Sequence, residues 1–281
     1  MPNSQSSANS QPRRTLILTG ASRGIGHATV KRFSAAGWRV ITCSRHPFPE
    51  NCPWEMGPED HIQVDLANPA NTAQAIDEIK RRLVDGELHA LVNNAAISPK
   101  ADGGKRMGSI ETTIDVWQQV FQVNFFAPIM LARGLLDQLA ATKGSVVNVT
   151  SIAGSRVHPF AGTAYSTSKA ALAALTREMA SDFGPRGIRV NAISAGPVKT
   201  LAASGIGDFR YILRWNELNS PLRRNVTIDQ VGASGLYLLS DMGAGVTGEV
   251  HHVDSGYHTV GMVAVDAAAE TAGLLQGLKK S

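Results

Sequence analysis

Cysteine is scarce in this chain: among its 281 residues only Cys43 and Cys52 occur. They form no Cys-x-x-Cys pair, and no histidine cluster has metal-ligand spacing, so the composition predicts a reduced, cytoplasmic protein without a metal site. The adjacent His251 and His252 lie in an alternating run that is typical of a strand. Neighbours on a strand point to opposite faces, so this pair is poorly placed to bind one metal ion.

Long apolar runs and one-sided charge are missing too. No stretch approaches the ~20 apolar residues that a membrane-spanning helix needs. The 27 basic and 23 acidic residues are interspersed and give a formal net charge of only +4. No basic stripe carries interleaved aromatic residues, so we expect neither a membrane nor a nucleic acid as partner. Residues 1–12 are polar and lack the apolar core of a signal peptide, and we expect a disordered leader there.

The chain does contain short β-rich runs that alternate with helical stretches. Seven runs are typical of strands, at 15–20, 38–44, 61–66, 88–94, 144–151, 187–194 and 248–254. Helical patterns lie between them, at about 25–36, 68–83, 114–141 and from 163 onward, with a capping-box spacing at 227–230 before a helix to about 239. This alternation predicts the α/β class, as one doubly wound Rossmann-type domain with a seven-stranded parallel sheet and helices on both faces.

We expect that domain to cover residues 13–262. The segment at about 195–226 lacks clear periodicity and is interpreted as a long loop over the substrate, because loops of that length are usually functional. Residues 263–281 form a C-terminal tail, which is either a helix that packs on a neighbour or a frayed end.

A glycine-rich stretch, TGASRGIG at 19–26, follows the first strand directly and opens a helix. Glycine permits a tight turn and lets the backbone approach a pyrophosphate, which binds at the helix N-terminus. In the first strand–helix unit of a doubly wound sheet, this pattern predicts dinucleotide binding. The candidate contacts are Gly20, Ser22, Arg23, Gly24, Ile25 and Gly26.

The end of the second strand indicates which dinucleotide binds. An acid that binds a ribose 2′-hydroxyl is expected there, but Ser44 and Arg45 occupy the place. Arg45 can pair with a 2′-phosphate, and Arg23 adds a second positive charge. The sequence therefore favours NADP(H) over NAD(H), although NAD(H) stays possible if Arg45 is only a solvated loop residue.

Small and polar residues also follow the other strands, at the edge where open parallel sheets bind ligands. Asp65 and Leu66 follow the third strand, Asn93 to Ala96 the fourth, and Ser151 ends the fifth. Asp65, Leu66, Asn93 and Ala95 are candidate cofactor contacts. Tyr165 and Lys169 start the next helix, four residues apart. Alone, that pair would be an ordinary surface pair at (i, i+4) spacing.

Together these motifs resemble the short-chain dehydrogenase/reductase family. The matching residues are TGASRGIG, Asp65, NNAA at 93–96, Asn124, Ser151 and YSTSK at 165–169, with Ala96 where the family pattern has glycine. The resemblance covers about residues 14–191. It implies a nicotinamide cofactor and a catalytic tetrad of Asn124, Ser151, Tyr165 and Lys169.

The chemistry of these side chains agrees with that implication. Tyrosine has an ordinary pKa near 10. A nearby ammonium favours the phenolate, so Lys169 is expected to lower the pKa of Tyr165 toward working pH for general acid–base transfer. Ser151 can donate a hydrogen bond to a substrate oxygen on which charge develops. The resemblance further implies that Lys169 holds the nicotinamide ribose and that Asn124 orders a water next to Lys169.

From about Gly187 the sequence also resembles enoyl-acyl-carrier-protein reductases, a branch of the same superfamily. Matching stretches are RVNAISAGPVKTLAASGIGDF and LLSDMGAGVTGEVHHVDSGYH. The resemblance implies cofactor contacts at Gly196, Val198 and Thr200. It also implies an apolar substrate cover formed by Leu201, Ala202, Ile206 and Phe209 next to Ser151.

The two resemblances differ at one point. In the enoyl branch the lysine follows the active tyrosine by seven residues, whereas here Lys169 follows Tyr165 by four. One hypothesis is therefore a hybrid of a carbonyl-reductase front and an enoyl-reductase back, and the alternative is a single divergent lineage.

The sequence as a whole predicts an NADP(H)-preferring oxidoreductase. Its expected reaction is reduction of a carbonyl, such as a 3-oxoacyl thioester or an apolar ketone, with Tyr165 as proton donor. Enoyl thioester reduction in fatty acid synthesis is the alternative reaction, and a non-catalytic nucleotide-binding protein is the alternative of another class. The expected partners are a substrate thioester on carrier protein or CoA and further copies of the chain in a dimer or tetramer.

Overall fold

The central sheet has seven parallel strands in the order β3-β2-β1-β4-β5-β6-β7. The structure, a computed structural model, describes residues 13–48, 57–158, 160–198 and 209–278. The strands are β1 Thr15–Thr19, β2 Arg39–Ser44, β3 His61–Gln63, β4 Ala90–Asn93, β5 Ser145–Ser151, β6 Arg189–Ala195 and β7 Val250–Val253. The predicted strands are confirmed, with bounds that agree within three residues.

Helices cover both faces of this sheet, as the alternation of elements predicted. They are α1 Gly24–Ala35, α2 Pro69–Arg82, α3 Ile114–Phe121, α4 Ala127–Gly134, α5 Leu136–Ala141, α6 Thr163–Phe183, α7 Phe209–Asn219, α8 Ile228–Leu239 and α9 Ala268–Leu278. Side chains of α2, α4 and α6 pack with Ile17 on one face, and side chains of α1 and α8 pack with Leu16 and Leu18 on the other. The alternation along β1 thus supplies two cores, because successive strand residues point to opposite faces.

The predicted helical region at 114–141 is not one regular helix. A π-helical turn, Gln122–Phe126, separates α3 from α4, and Leu135 separates α4 from α5. A π turn inserts an extra residue into the helical repeat and is often found at functional sites. Here it carries Asn124, whose side chain is completely buried.

Helices occur in the expected loop and in the tail, for which a helix was one of two predictions. The expected loop at 195–226 includes α7, and the tail at 263–281 includes α9. The tail packs on α7 of its own chain, where Arg214 Nη2 lies 2.5 Å from Glu270 Oε2. The capping box predicted before α8 is confirmed, with Thr227 and Gln230 bonding each other's backbone. Among the described residues, no helix is long and apolar enough to span a bilayer.

Candidate active site

The glycine-rich turn packs against the end of β4 with no room for side chains. Gly20 has a φ of +70°, and a Cβ there would lie 2.8 Å from the Cα of Ala95. A Cβ on Gly26 would clash with the carbonyl oxygen of Gly20 and would lie 2.7 Å from Asn94 Nδ2. The N-cap residue Arg23 makes no side-chain cap, and the first turn of α1 carries no acid. The first N–H groups of α1 therefore have no side-chain cap and are suited to a pyrophosphate. We call the glycine turn and this helix N-terminus the cradle, and its residues fit a dinucleotide.

Asn94 fixes this turn, although it is not among the predicted cofactor contacts. Its Nδ2 donates to the carbonyl oxygens of Thr19 at 3.0 Å and Gly20 at 2.9 Å. In return, Thr19 Oγ1 accepts the backbone N–H groups of Asn94 and Ala95, each at 3.0 Å. The second asparagine of NNAA was the available signal, because Asn93 and Asn94 must point in opposite directions at a strand end.

The side chain of Asn93, by contrast, does not face the cleft. It is buried in the core, and its Nδ2 donates to Asn148 Oδ1 at 2.9 Å. A contact between Asn93 and a cofactor would therefore have to come from its backbone, and the expected contact stays a prediction. Ala95 does lie at the glycine turn, next to Gly20.

The outer end of the cradle carries positive charge. Arg23 and Arg45 are both exposed, and Ser44 Oγ donates to the carbonyl oxygen of His46 at 3.0 Å. Asp65 is exposed after β3, with Oδ1 accepting the N–H of Ala67 at 3.0 Å. The next residue, Leu66, is buried, and Ser22 and Ile25 lie on the glycine turn.

Ser151, Tyr165 and Lys169 converge at the carboxyl end of β5. Ser151 ends β5 opposite Ala195 of β6, and Tyr165 lies in the first turn of α6. Burial raises the pKa of Tyr165, and a hydrogen bond with the Ser151 hydroxyl opposes this more weakly. The phenol is therefore protonated at neutral pH and can donate a proton.

Lys169 lies one helical turn further on and is 2% exposed. Its Nζ donates to the carbonyl oxygen of Val149 at 2.7 Å and lies 5.9 Å from the ring centroid of Tyr165. Burial lowers the pKa of Lys169 to about 8. The expectation that Lys169 lowers the pKa of Tyr165 is not met, because burial of the phenol outweighs the other influences on it and the ammonium points toward β5.

Asn124 joins three elements around this group. Its Oδ1 accepts the N–H of Ile97 at 2.9 Å, and its Nδ2 donates to the carbonyl oxygen of Ile97 and to Ser168 Oγ, both at 3.0 Å. Both amide hydrogens are thus bonded to protein atoms. The side chain fastens the segment after β4 to α6 beside Lys169.

The remaining predicted contacts lie at the end of β6. The backbone N–H of Gly196 donates to the carbonyl oxygen of Val253 at 2.9 Å, and a Cβ on Gly196 would lie 2.8 Å from the Cα of Asp254. Val198 packs on the core beside α1 and α8, and Phe209 is the partly buried first residue of α7. Thr200, Leu201, Ala202 and Ile206 lie outside the described residues, as does the leader at 1–12.

Comparison with known proteins places this site in a family. Residues 20–258 match the family model described as Enoyl-(Acyl carrier protein) reductase. Protein FixR of Bradyrhizobium diazoefficiens is 54% identical over 246 residues, which are 87% of each chain. Enoyl-[acyl-carrier-protein] reductase [NADH] 1 of Rhizobium meliloti is 50% identical over 208 residues, which are 74% of this chain and 73% of that protein.

A solved structure agrees with these matches. A short-chain dehydrogenase/reductase family oxidoreductase from Brucella ovis, in complex with a partially ordered NAD, is 61% identical, with a TM-score of 0.75 over 86% of this chain and all of that one.

These relatives match both parts of the chain, and so they bear on the hybrid hypothesis. An alignment over 87% of the chain spans the front with the Tyr-x-x-x-Lys pair and the back that resembles enoyl reductases. A single lineage accounts for both, and no recombination of two parents is needed. The chain belongs to the short-chain dehydrogenase/reductase family, within the group that the enoyl-(acyl carrier protein) reductase model describes, and is an oxidoreductase that uses a nicotinamide cofactor.

Proposed function

We propose that this oxidoreductase reduces a carbonyl group to an alcohol, with Tyr165 as the proton donor. The observation that carries the proposal is the hydroxyl pair of Ser151 and Tyr165 at the carboxyl end of β5. Two hydroxyl donors on one side of a cleft suit an oxygen atom that gains negative charge. A 3-oxoacyl thioester or an apolar ketone would present such an oxygen.

When bound, the nicotinamide cofactor would supply the hydride for the carbonyl carbon. Tyr165 donates its phenolic proton to the carbonyl oxygen, and Ser151 donates a hydrogen bond to the same oxygen as charge develops there. The raised pKa of Tyr165 keeps the phenol protonated before the reaction. Burial around Lys169 and Asn124 keeps bulk water from this side of the site.

Lys169 would then return a proton to Tyr165. Its pKa of about 8 lies close to working pH, so it can release and regain a proton at little cost. We further propose that the ammonium turns from Val149 to a hydroxyl of the cofactor ribose, while Asn124 holds α6 in place. Glycines 20, 24 and 26 and the backbone after β4 would hold the pyrophosphate.

We propose NADPH as the preferred cofactor, with NADH as the alternative. Exposed Arg23 and Arg45 favour a 2′-phosphate, and Ser44 stands where a carboxylate would repel it. The names of relatives point the other way, since the Rhizobium meliloti reductase is named for NADH. Titration of both cofactors against wild type and Arg45→Gln separates these choices, because only NADPH binding should weaken in the variant.

Enoyl thioester reduction is the second candidate, and the family model and the names of several relatives favour it. In that reaction Tyr165 would protonate the thioester oxygen after hydride addition to carbon. The spacing of four residues between Tyr165 and Lys169, together with the Ser151 hydroxyl, favours the carbonyl reaction.

We also propose that the protein is a homodimer or homotetramer that pairs through the face of α3. Ile114 is 69% and Phe126 48% exposed. Between them Trp117, Phe121 and Phe125 form a continuous series of ring contacts. An apolar face of this kind is typical of a protein interface. Light scattering should report a smaller species for Ile114→Glu than for wild type.

An assay of acetoacetyl and crotonyl thioesters, each with NADPH and NADH, tests the proposed reaction. We expect turnover of the acetoacetyl compound and a loss of at least 10²-fold in kcat for Tyr165→Phe, with cofactor affinity unchanged. Tyr237→Phe, a change at an exposed tyrosine on α8, is the matched control. Turnover of the crotonyl compound alone would favour enoyl reduction. Cofactor binding without any turnover would favour a non-catalytic protein.

A further inference from the structure

Two loops meet beside Tyr165. One runs from the end of β4 to residue 108, and the other leads from β5 into α6. The N–H of Thr163 donates to the carbonyl oxygen of Met107 at 3.0 Å. Pro99, Met107, Thr163 and Tyr165 line a small cavity between the loops. Both loops therefore lie next to Tyr165.

Two cationic side chains of the first loop reach across to the second. Lys100 Nζ donates to the carbonyl oxygen of Phe160 at 2.5 Å. Arg106 Nε donates to the carbonyl oxygen of Ala161 at 2.8 Å, and its Nη2 donates to Thr163 Oγ1 at 3.2 Å. The guanidinium is thus bonded to the first turn of α6, the turn that also carries Tyr165, although residues two apart on a helix point to different faces.

The positive charge of this pair is not neutralised. Within residues 57–158, 160–198 and the other described segments, no carboxylate forms an ion pair with Lys100 or Arg106. Glu111 approaches Gly108 from the same side as Arg106, since a Cβ on Gly108 would lie 2.5 Å from Glu111 Oε2 and 3.9 Å from Arg106 Nη1, but the two side chains form no ion pair. Burial and the charge of Arg106 lower the pKa of Lys100.

The same charges act on a third group. Burial, Lys100 and Arg106 lower the pKa of His158 to about 4, so this histidine is neutral at working pH. The carbonyl and hydroxyl oxygens named above accept only some of the hydrogen bonds that Lys100 and Arg106 can donate, because a lysine has three N–H groups and an arginine has five. Arg106 is exposed, but Lys100 is partly buried, and a partly buried cation beside a second cation is costly unless an anion compensates it.

We propose that Lys100 and Arg106 bind an anionic group of the substrate at the entrance of the catalytic cleft. The ligand chemistry is an oxyanion, either a carboxylate of an oxo acid or a phosphate of a thioester carrier. Arginine and lysine bind both through charge-assisted hydrogen bonds. This proposal rests on the proposed carbonyl reduction, and it replaces a neutral apolar ketone by an anionic substrate class.

Matched substrate pairs test the proposal and separate the two sources of the anion. Acetoacetyl-CoA and acetoacetyl-N-acetylcysteamine share the thioester but differ in phosphate. Free 5-oxohexanoate and its methyl ester share the ketone but differ in charge. The variants are Lys100→Gln and Arg106→Gln. The control is Lys105→Gln on the same loop, because the side chain of Lys105 makes no hydrogen bond to the second loop among the described residues.

We expect wild type to prefer the anionic member of one pair. Lys100→Gln and Arg106→Gln should each raise KM for that member about tenfold or more, because each removes a charge-assisted bond. The kcat values of these variants should change little, and so should their KM for the neutral member. Lys105→Gln should leave both constants close to those of wild type. The pair that responds identifies the source: the thioester pair indicates phosphate, and the oxo acid pair indicates carboxylate.

If active wild type has the same KM for both members of each pair, the anion proposal is overturned while carbonyl reduction stands. Loss of kcat for neutral and anionic members alike in the variants would also overturn it, since that indicates a role in holding the loops only. If no substrate is turned over, the proposed function fails, and calorimetric binding of CoA and of 5-oxohexanoate then decides the anion proposal alone. Binding that the two variants weaken supports it, and absence of binding to wild type refutes it.

Discussion

The buried ammonium of Lys169 makes a quantitative prediction about stability. In the folded protein its pKa is about 8, below the ordinary value of 10.5. Between these values the unfolded chain binds more protons than the folded one, so stability rises with pH. Integrated from about pH 7 to about pH 9.5, this single group adds roughly 2 kcal/mol to the free energy of unfolding.

Lys169→Met removes that contribution while it keeps most of the side-chain volume. The variant also loses the hydrogen bond to Val149, which changes its stability by a similar amount at every pH. Urea unfolding of the cofactor-free protein at the two pH values gives the difference directly. All other groups titrate in both proteins, so their effects cancel in the comparison.

We expect the wild-type free energy of unfolding, measured relative to that of Lys169→Met, to increase by roughly 2 kcal/mol between the two pH values. Lys80→Met, a change at an exposed lysine of α2, should show no such difference from wild type. Parallel pH dependence of wild type and Lys169→Met would refute the reasoning, because it would mean that the ammonium keeps its ordinary pKa when folded.

Two further predictions concern the cradle and the π turn. Gly26→Ala should weaken NADPH binding at least tenfold in a fluorescence titration, because its Cβ would clash with Gly20 and Asn94, whereas Gly273→Ala in α9 has open space and should bind normally. Asn124→Ala should lower the free energy of unfolding by about 3 kcal/mol, because it leaves the partly buried N–H and C=O groups of Ile97 without this partner. Asn71→Ala on α2 is its control, and a loss below about 1 kcal/mol for Asn124→Ala would contradict this account.

Several elements were predictable because their signals are local. The strands alternate or run apolar over three to seven residues, and the glycines mark a turn that only glycine fits. The capping box at Thr227 was equally local. Helix α7 was missed because its sequence, FRYILRWNELN, mixes arginine, asparagine and apolar residues, and because it packs on α9, which is distant in sequence.

The site was predictable in its membership but not in its contacts. The motif NNAA does not reveal that the side chain of Asn93 enters the core while that of Asn94 bonds to the glycine turn. Which asparagine does which depends on how β4 is oriented in the folded sheet. The partners of Asn124 were also not predictable from the sequence, because Ile97 lies 27 residues away from it and Ser168 lies 44 residues away. Local pattern cannot report contacts at such separations.

The sequence by itself therefore determined the fold class, the dinucleotide cradle and the serine, tyrosine and lysine that converge at β5. Only the tertiary structure decided their protonation, because the pKa values of Tyr165 and Lys169 follow from burial and from the direction of the ammonium toward Val149. It also brought Lys100 next to Phe160 across 60 residues. Spacing along the chain sets which residues share a helix face, but solvent exclusion and long-range packing set what those residues can do.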